Sequence, residues 1–460
     1  MGAQKILIRG GTLIDGNGGP PVKDGAVLIE GERIRAVGAR REVEKGLELR
    51  DPALQVIEAD GKTILPGLID SHCHLNYGEP VNEEELDLYT PMEYRALRAA
   101  WNAQKVLRAG VTSICDPGST GLVAVAVRDA LEAGMFEGPR MTAGGRYLST
   151  PQSITDYYPT WIGVPETSSG VLTTTKDEMV REVRRQVKDG VDVIKVAGSG
   201  QSLFNVSASS DIEAFTREEL GVIVEEAHRL GKKVTNHARS GKSAADSARV
   251  GVDWIQHASF MTDEDLEVVM KAAVPICPTW TLLANAIEWG ADFGVPVALM
   301  DEFKRELEAG VKALGRAYEA GVPLMMGSET GFAITPYGHW HTRELELFVE
   351  YLGLSPMEAL LTATKHNRRA VRNGAEVGVL EAGKLADVLV VDGDPLADIR
   401  VLGERERLAV IVQGGKQVDT TRPWPERRVW PYERVMRLGG LMTREAVARA
   451  TGARFTPPPR

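Results

Sequence analysis

The chain has 460 residues, of which 43% are hydrophobic and 26% are charged. This balance is typical of a folded globular protein and excludes a disordered or collagen-like chain. The formal net charge of −10 disfavours nucleic acid as a partner. Only three cysteines are present, which argues against a disulfide framework and for a reducing compartment.

The first residues contain no charged segment followed by an apolar stretch, so no secretory signal is predicted. No apolar run approaches the length of about 18 residues that a membrane span needs. We therefore expect a cytoplasmic protein with no membrane partner.

Short β-type segments occur near both ends of the chain. Aliphatic and β-branched residues cluster at 4–9, 26–30, 34–37, 387–391 and 408–412, with glycine, asparagine and proline between the clusters. The simplest arrangement pairs these segments in one small composite β domain. We expect a β-sandwich built from residues 1–63 and 375–427, followed by a C-terminal tail at 428–460.

Between these ends, strand and helix patterns alternate over residues 64–374. Eight apolar strands that end in polar residues are predicted at 64–70, 111–116, 140–144, 191–196, 233–237, 253–257, 274–278 and 323–327. Eight such units predict an α/β fold with a (β/α)8 TIM-like barrel, whose sites lie at the C-terminal ends of the strands. A doubly wound sheet is the alternative. It calls for a glycine-rich phosphate loop after the first strand, where this chain has histidine.

Side chains that can bind metals stand at the ends of the predicted strands. His72 and His74 are two residues apart, so a strand would point both imidazoles to one side. The others end later strands: Lys195 in the fourth, His237 in the fifth, His257 in the sixth and Glu329 in the eighth. Taken alone, each of these residues could equally well be an ordinary side chain of the core or the surface. Together they predict a site for zinc, manganese, cobalt or iron rather than calcium.

Lys195 lies in an otherwise apolar strand, where a bare ammonium group is costly to bury. It either faces outward or pairs with an acid, or its amine has reacted with CO2. In the last case the resulting carbamate offers two oxygens that can bridge two cations.

The order His-x-His, Lys, His, His, acid resembles the amidohydrolase superfamily. Residues 64–74 and 380–391 look like the first barrel strand and a late β-domain strand of that family, and several segments are most similar to its imidazolonepropionase- and prolidase-like branch. The resemblance implies one or two divalent metals, zinc being the first expectation. It also implies a metal-activated hydroxide as nucleophile and a homo-oligomer.

By the same resemblance, His72 and His74 hold one metal, His237 and His257 hold the other, and carboxylated Lys195 bridges them. Lys195, His257 and Glu329 are then the expected catalytic residues. The family has aspartate where this chain has Glu329. The extra methylene group moves the carboxylate, so Glu329 is expected either to transfer protons or to bind a metal more closely.

Aromatic residues predict the character of the substrate pocket. The stretch between Arg146 and Lys176 contains no cation but holds several aromatic rings, and more rings follow the seventh and eighth strands. These rings either pack the loops together or line a neutral pocket for an aromatic or cyclic group. The candidate substrate-binding residues are Tyr147, Tyr157, Trp161, Arg239, Trp280, Tyr337, His339 and His341.

Our leading hypothesis is a hydrolase that cleaves the C–N bond of a neutral amide, urea or carbamate. In the character of its loops, the chain is most similar to enzymes that cleave phenylurea or thiocarbamate herbicides. The alternative is a prolidase-like metallo-dipeptidase, for which Arg239 would bind the substrate carboxylate. Ring deamination and a non-catalytic protein on the same scaffold are less favoured, because the four histidines and the lysine are all present.

Overall fold

The computed structural model describes residues 4–200, 210–430, 433, 441–453 and 455. No helix within these ranges combines the length and apolarity that a bilayer span requires.

Strands and helices alternate through most of the described chain. The strands are β1 Lys5–Leu13, β2 Val22–Glu30, β3 Arg33–Ala39, β4 Leu54–Glu58, β5 Thr63–Pro66, β6 Leu68–Asp70, β7 Val111–Asp116, β8 Arg140–Ala143, β9 Tyr147–Ser149, β10 Gly170–Leu172, β11 Val193–Ala197, β12 Lys233–Ser240, β13 Trp254–Phe260, β14 Ile276–Cys277, β15 Val388–Val391, β16 Leu408–Gln413 and β17 Lys416–Gln417.

The helices are α1 Arg40–Val43, α2 Glu83–Asp87, α3 Met92–Arg108, α4 Val123–Glu132, α5 Lys176–Lys188, α6 Arg217–Arg229, α7 Gly241–Val250, α8 Asp263–Ala272, α9 Trp280–Trp289, α10 Val297–Glu319, α11 Arg343–Leu352, α12 Pro356–Thr362 and α13 Arg444–Thr451. Short 3-10 helices cover Gly290–Phe293, Asn367–Ala370, Ile399–Gly403 and Arg405–Arg407.

The strands from the two chain ends meet in one sheet, in the order β17-β16-β15-β5-β1-β2-β3, with β4 also paired to β1. The junction is β5, which runs antiparallel to β15 and parallel to the end of β1. The predicted pairing of the two ends is therefore confirmed. The eight strands form one hydrogen-bonded sheet, in which β4 and β5 pair with β1 at different points.

The first predicted barrel strand, 64–70, is divided at Gly67. Its first part, β5, belongs to the small sheet, and its second part, β6, pairs with β7. A side chain at Gly67 would overlap Thr112 of β7. Glycine thus lets the chain pass closely from one sheet into the other.

The middle of the chain contains parallel strands in the order expected for a barrel. One sheet holds β6-β7-β8 and another holds β10-β9-β11-β12-β13-β14. Isolated parallel bridges continue the order from Gly144 to Val193, from Ile276 to Leu324, and from Thr330 back to Cys73. The ends of β6, β11, β12 and β13 therefore face a common region.

The eighth predicted strand, 323–327, does not form a regular ladder and keeps only the bridge between Ile276 and Leu324. Pro323 lacks the N–H group that a ladder needs. Side chains supply part of the missing pairing, since Ser71 Oγ and Asn367 Nδ2 both donate to the Met326 carbonyl at 2.7 Å. The segment is held in place by these bonds and ends at Glu329.

The described part of the C-terminal tail packs on the body of the chain. The indole N–H of Trp340 donates to the Met442 carbonyl, and the Met442 N–H donates to the Ala333 carbonyl at 3.1 Å. Arg444 at the start of α13 donates to the His339 carbonyl at 2.9 Å. The tail therefore lies against the loop that follows Glu329.

Candidate metal centre

Two imidazoles meet at the end of β6. His72 Nε2 and His74 Nε2 are 3.0 Å apart, and both side chains are buried. The carboxylate of Glu329 lies beside them, with Oε2 at 3.3 Å from His72 Nε2 and Oε1 at 3.6 Å from His74 Nε2. These three side chains present one ligand atom each within 4.8 Å of one another, so they form a candidate cation site.

His237 and His257 lie beside this histidine pair. Their rings are 4.4 Å apart, and the His257 ring is 5.7 Å from that of His72. Within the described part of the chain, Nε2 of His237 and Nε2 of His257 are buried and have no hydrogen-bond partner. Buried polar atoms are rarely left unsatisfied, so these two nitrogens point to a missing ligand.

The protonation of the histidines suits metal binding. Burial, together with neighbouring cations, holds the pKa of His72, His237 and His257 well below the ordinary value. These imidazoles are therefore neutral, which is the form that binds metals. Burial also disfavours charge on His74, but the carboxylates of Asp116 and Glu329 outweigh it and raise the pKa of His74. The carboxylates thus favour a positive charge at this point.

Hydrogen bonds to the other ring nitrogens fix which nitrogen faces the site. His74 Nδ1 donates to the Gly118 carbonyl at 2.9 Å, and His257 Nδ1 donates to Thr279 Oγ1 at 2.7 Å. Thr279 Oγ1 in turn donates to the Pro278 carbonyl, so it accepts from the imidazole. In both cases Nε2 keeps its lone pair for a cation, which is the usual role of such outer partners.

Lys195 is buried on β11 beside the histidines, with Nζ 5.4 Å from the centre of the Tyr147 ring. Burial lowers the pKa of Lys195 to about 7, although Glu329 partly opposes the shift. A large share of the amine is thus neutral near pH 7. The neutral amine is the form that can react with CO2, so the lysine is chemically fit to carry a carbamate.

Backbone strain is concentrated around the same side chains. His257, Thr279 and Glu329 have φ angles of 73°, 57° and 54°, a region that residues other than glycine seldom adopt. The Glu329 N–H donates to the His72 carbonyl at 2.9 Å, and Thr335 Oγ1 donates to the Glu329 carbonyl at 2.8 Å. Such strain persists where surrounding contacts enforce it, and it often marks functional sites.

Two tyrosines cover one side of the histidine pair. The Tyr77 ring stacks on the His74 ring at 4.2 Å, and the Tyr147 hydroxyl is 3.3 Å from His74 Nε2. The two hydroxyls are hydrogen-bonded to each other. A side chain at Gly118 would overlap the Tyr147 ring, so glycine there allows the ring to reach the site.

Of the predicted metal ligands, the structure brings His72, His74, His237, His257 and Glu329 together, with Lys195 among them. Sequence reasoning missed the supporting residues Asp116, Gly118, Thr279 and Tyr77. A signal was available for some of them, since Asp116 and Thr279 also stand at the ends of predicted strands.

Several predicted substrate-binding residues lie elsewhere. Trp280 is fully buried and packs on Phe348 at 6.0 Å, because α9 is an apolar helix of the core. Trp161 is 84% exposed on its loop. Tyr157 is partly buried on the same loop. The expectation that Trp280 lines the pocket is corrected by this burial, whereas the roles of Trp161 and Tyr157 stay predictions.

Tyr337, His339 and His341 support the structure around the site. The Tyr337 hydroxyl donates to the His74 carbonyl at 2.6 Å. His341 Nδ1 donates to Asp70 at 2.8 Å, and its Nε2 accepts from the Gly338 N–H. His339 lies 3.4 Å from Glu445 of α13. Their ring or hydroxyl groups thus contact other parts of the protein, and their role in substrate binding stays a prediction.

Arg239 also differs from its expected role. Its guanidinium is buried and forms an ion pair with Glu306 of α10, whose carboxylate also accepts from Ser259 Oγ at 2.7 Å. The Arg239 guanidinium is therefore paired with an acid inside the protein.

The amidohydrolase family model matches residues 63–418, and the chain belongs to this family. Members typically depend on a divalent metal, in agreement with the candidate cation site formed by His72, His74 and Glu329. The family and its solved structures imply a TIM-barrel fold with a β-rich domain.

Three proteins show the range of similar enzymes. Ochratoxinase from Aspergillus niger is 27% identical over 451 residues, covering 94% of this chain and 90% of the relative. Its crystal structure gives a TM-score of 0.80 at 26% identity, covering 92% of this chain and 97% of that one. A Xaa-Pro dipeptidase with methionine bound in its active site gives 0.79 at 26% identity, covering 90% and 99%. Molinate hydrolase gives 0.73 at 25% identity, covering 93% and 99%.

Replacing His237 or His257 with alanine should weaken Zn2+ binding more than the about 10–100-fold that loss of an outer partner costs. Each change removes a buried nitrogen that has no other partner among the described residues. Competition with a chromophoric chelator measures the affinity. His228→Ala is the matched control, because His228 is exposed and pairs with Asp253 at 2.9 Å. Unchanged affinity in H237A and H257A would exclude these nitrogens as ligands.

Proposed function

We propose that the chain is a metal-dependent hydrolase that cleaves a C–N bond of a neutral, aromatic or cyclic small molecule. The bond is of the amide, urea or carbamate type. The observation that carries this proposal is the meeting of His72, His74 and Glu329 with the two unpartnered Nε2 atoms of His237 and His257. Buried imidazole and carboxylate groups in this number suit a divalent transition metal, and zinc is the first candidate, with manganese, cobalt or iron as others.

In this proposal His72 and His74 would hold one ion, His237 and His257 would hold a second, and a carbamate on Lys195 would supply a further anionic ligand. When bound, such metals supply Lewis acidity and bring the pKa of water toward about 7. The buried Lys195, with its pKa lowered to about 7, supports the carbamate because its amine is available in neutral form.

Glu329 is proposed to move the proton from the attacking water to the leaving nitrogen. Burial opposes ionisation of its side chain, but the hydrogen bond and charge of His74, with Lys195 and Arg239, outweigh burial and lower the pKa of Glu329. The carboxylate is therefore ionised before the reaction and able to accept a proton. Its position beside His72 and His74 suits transfer within the site.

Tyr147 and Tyr77 are proposed to bind the substrate. The Tyr147 hydroxyl lies 3.3 Å from His74 Nε2, within reach of a group bound at the same site, and it can donate to a carbonyl oxygen. Phe332 packs against Tyr77 at 5.2 Å. These rings support a pocket for an apolar, planar group.

A neutral substrate is supported by the ion pair between Arg239 and Glu306. A pocket that binds a carboxylate needs an unneutralised cation, and Arg239 was the best candidate for that role. The alternative remains a prolidase-like metallo-dipeptidase, which is favoured by the likeness to a Xaa-Pro dipeptidase over 90% of this chain.

The arrangement of the chain is part of the proposal. We propose a complete (β/α)8 barrel at 64–374, a composite β domain at 1–63 and 375–427, and a tail at 428–460. A homo-oligomer acting on a small molecule, without nucleic acid or membrane, stays a prediction.

A hydrolysis screen of the zinc-loaded protein tests the substrate class. It compares N-aryl ureas, aryl carbamates and anilides with X-Pro dipeptides. We expect turnover of the neutral aryl substrates, because Arg239, the candidate for carboxylate binding, is buried and paired with Glu306. Metal-stripped protein is the control. Cleavage of the dipeptides alone would favour the alternative function.

Replacing Lys195 with alanine should abolish hydrolysis, because the proposed bridge is lost. Short carboxylic acids such as formate or acetate should restore part of the activity by filling the space with a carboxylate. Steady-state rates with and without the acid measure this effect. Lys233→Ala on the neighbouring strand serves as the control, because Lys233 is exposed at the start of β12 and donates to the Arg369 carbonyl. Full activity of K195A without added acid would contradict the bridge.

Replacing Glu329 with glutamine should lower kcat about 10²–10⁴-fold if the carboxylate transfers the proton. Glutamine keeps the size of the side chain but cannot accept a proton. Glu329→Asp should retain more activity than E329Q, because it keeps the acid. Equal and small losses in both variants would assign the proton transfer to another residue.

A further inference from the structure

A buried arginine holds the loop that follows the two histidines of β6. Arg98 Nη2, on α3, donates to the carbonyls of Asn76 and Tyr77, both at 2.9 Å. The side chain of Arg98 is only 3% exposed. Gly78 lies under the guanidinium, and a side chain at that position would overlap it. The arginine is thus fitted closely to this loop.

The charge of Arg98 is balanced from the far end of the sequence. Its Nη1 donates to the carboxylate of Glu433 at 3.1 Å, and the Glu433 side chain is 2% exposed. Within the described residues, Glu433 is the one acidic side chain that forms an ion pair with Arg98. Glu433 also accepts from Arg427 at 2.8 Å and from the Tyr94 hydroxyl at 3.2 Å. The Glu433 carboxylate therefore lies between two cations, Arg98 and Arg427, and pairs with both.

Loss of this carboxylate would leave Arg98 as a buried, uncompensated charge that also faces Arg427. Removing one partner of a buried ion pair is strongly destabilising, because the other charge is left buried without compensation. The guanidinium would then turn toward water or another acceptor. Either movement releases the Asn76 and Tyr77 carbonyls.

The released loop is in contact with the metal centre. The Tyr77 ring stacks on His74 at 4.2 Å, and the Tyr77 hydroxyl binds that of Tyr147. Leu75, one residue after His74, donates its N–H to Asp116 at 3.2 Å. A shift of the backbone at residues 76–77 therefore changes the packing around the His74 imidazole.

We infer that Glu433 is a positioning residue of the metal centre, acting from the C-terminal tail through Arg98 on the loop that carries Tyr77. This inference rests on the metal centre of the proposed function. It assigns the tail a part in forming the site, although the tail supplies none of the side chains that we propose as ligands. The second attachment of the tail, at Met442 and Arg444, is independent of Glu433 and keeps the tail in place when Glu433 is changed.

The test measures Co2+ affinity of metal-stripped protein by competition with a chelator, and the visible spectrum of the Co2+-loaded protein. Glu433→Gln keeps the shape of the side chain and removes its charge. We expect E433Q to bind Co2+ about 10-fold or more weakly, as loss of an outer partner of a metal site does. We also expect the visible bands to shift, because the His74 environment changes.

Two controls separate positioning from general loosening. Glu445→Gln removes another tail carboxylate, which pairs with Arg405 at 2.7 Å and is 47% exposed. Val412→Ala weakens the buried core of the small sheet without touching the site. Both should bind Co2+ like the wild type, with the same spectrum.

The outcomes distinguish the two levels of the proposal. Wild-type affinity and spectrum in E433Q, or an equal loss in E445Q or V412A, would overturn the role of Glu433 and leave the proposed function standing. Failure of the wild type to bind any divalent metal would overturn both. A weaker, spectrally altered site in E433Q alone supports the inference.

Discussion

The structure depends on the burial of several basic side-chain nitrogens in one cluster. His72, His237, His257 and Lys195 are buried together, and burial lowers the pKa of each of them. Polar groups in such a place are costly unless they find partners. Neutral nitrogens with free lone pairs are also what a divalent cation requires. The same desolvation that makes charge unfavourable there therefore keeps these nitrogens in the neutral form that binds metals.

The surrounding elements serve to hold these side chains in one orientation. Parallel strands bring their ends together, and the residues just beyond them, such as Asp116 and Thr279, fix the imidazoles from behind. Positive φ angles turn the chain sharply at Thr279 and Glu329 and, within β13, at His257. Backbone strain of this kind must be offset by favourable packing elsewhere. The buried hydrophobic core around the parallel strands provides this packing.

The sequence predicts those site residues whose place in the fold follows from their position at the end of a strand. Histidines, Lys195 and Glu329 could be placed because the end of a strand is visible in the apolar pattern, and a parallel sheet brings such ends together. The pairing of the two chain ends was predictable because short β-type segments occur at both ends and pair most simply with each other. The spacing of Thr216 and Glu219 is that of a capping box, and the structure has this capping box at the start of α6.

Long-range partners were not visible in the sequence. Nothing near Arg239 indicates Glu306, which lies 67 positions away on α10. Likewise, Glu433 is 335 positions from Arg98, and His341 is 271 positions from Asp70. Trp280 was misplaced for a related reason. An aromatic residue after a strand looks the same whether it lines a pocket or begins a core helix, and only the helix packing against Phe348 decides.

The exchange of the family's aspartate for Glu329 bears on how charge is distributed in the site. The longer side chain brings its two oxygens to 3.3 Å and 3.6 Å from His72 and His74, so its negative charge lies on that side. His237 and His257 contribute nitrogen only, and Arg239 beside them adds positive charge that Glu306 offsets. A cation at this second pair would lack an anionic ligand unless Lys195 becomes a carbamate. In the proposed two-metal site, the position of Glu329 would thus leave the negative charge at the second pair to a carbamate on Lys195.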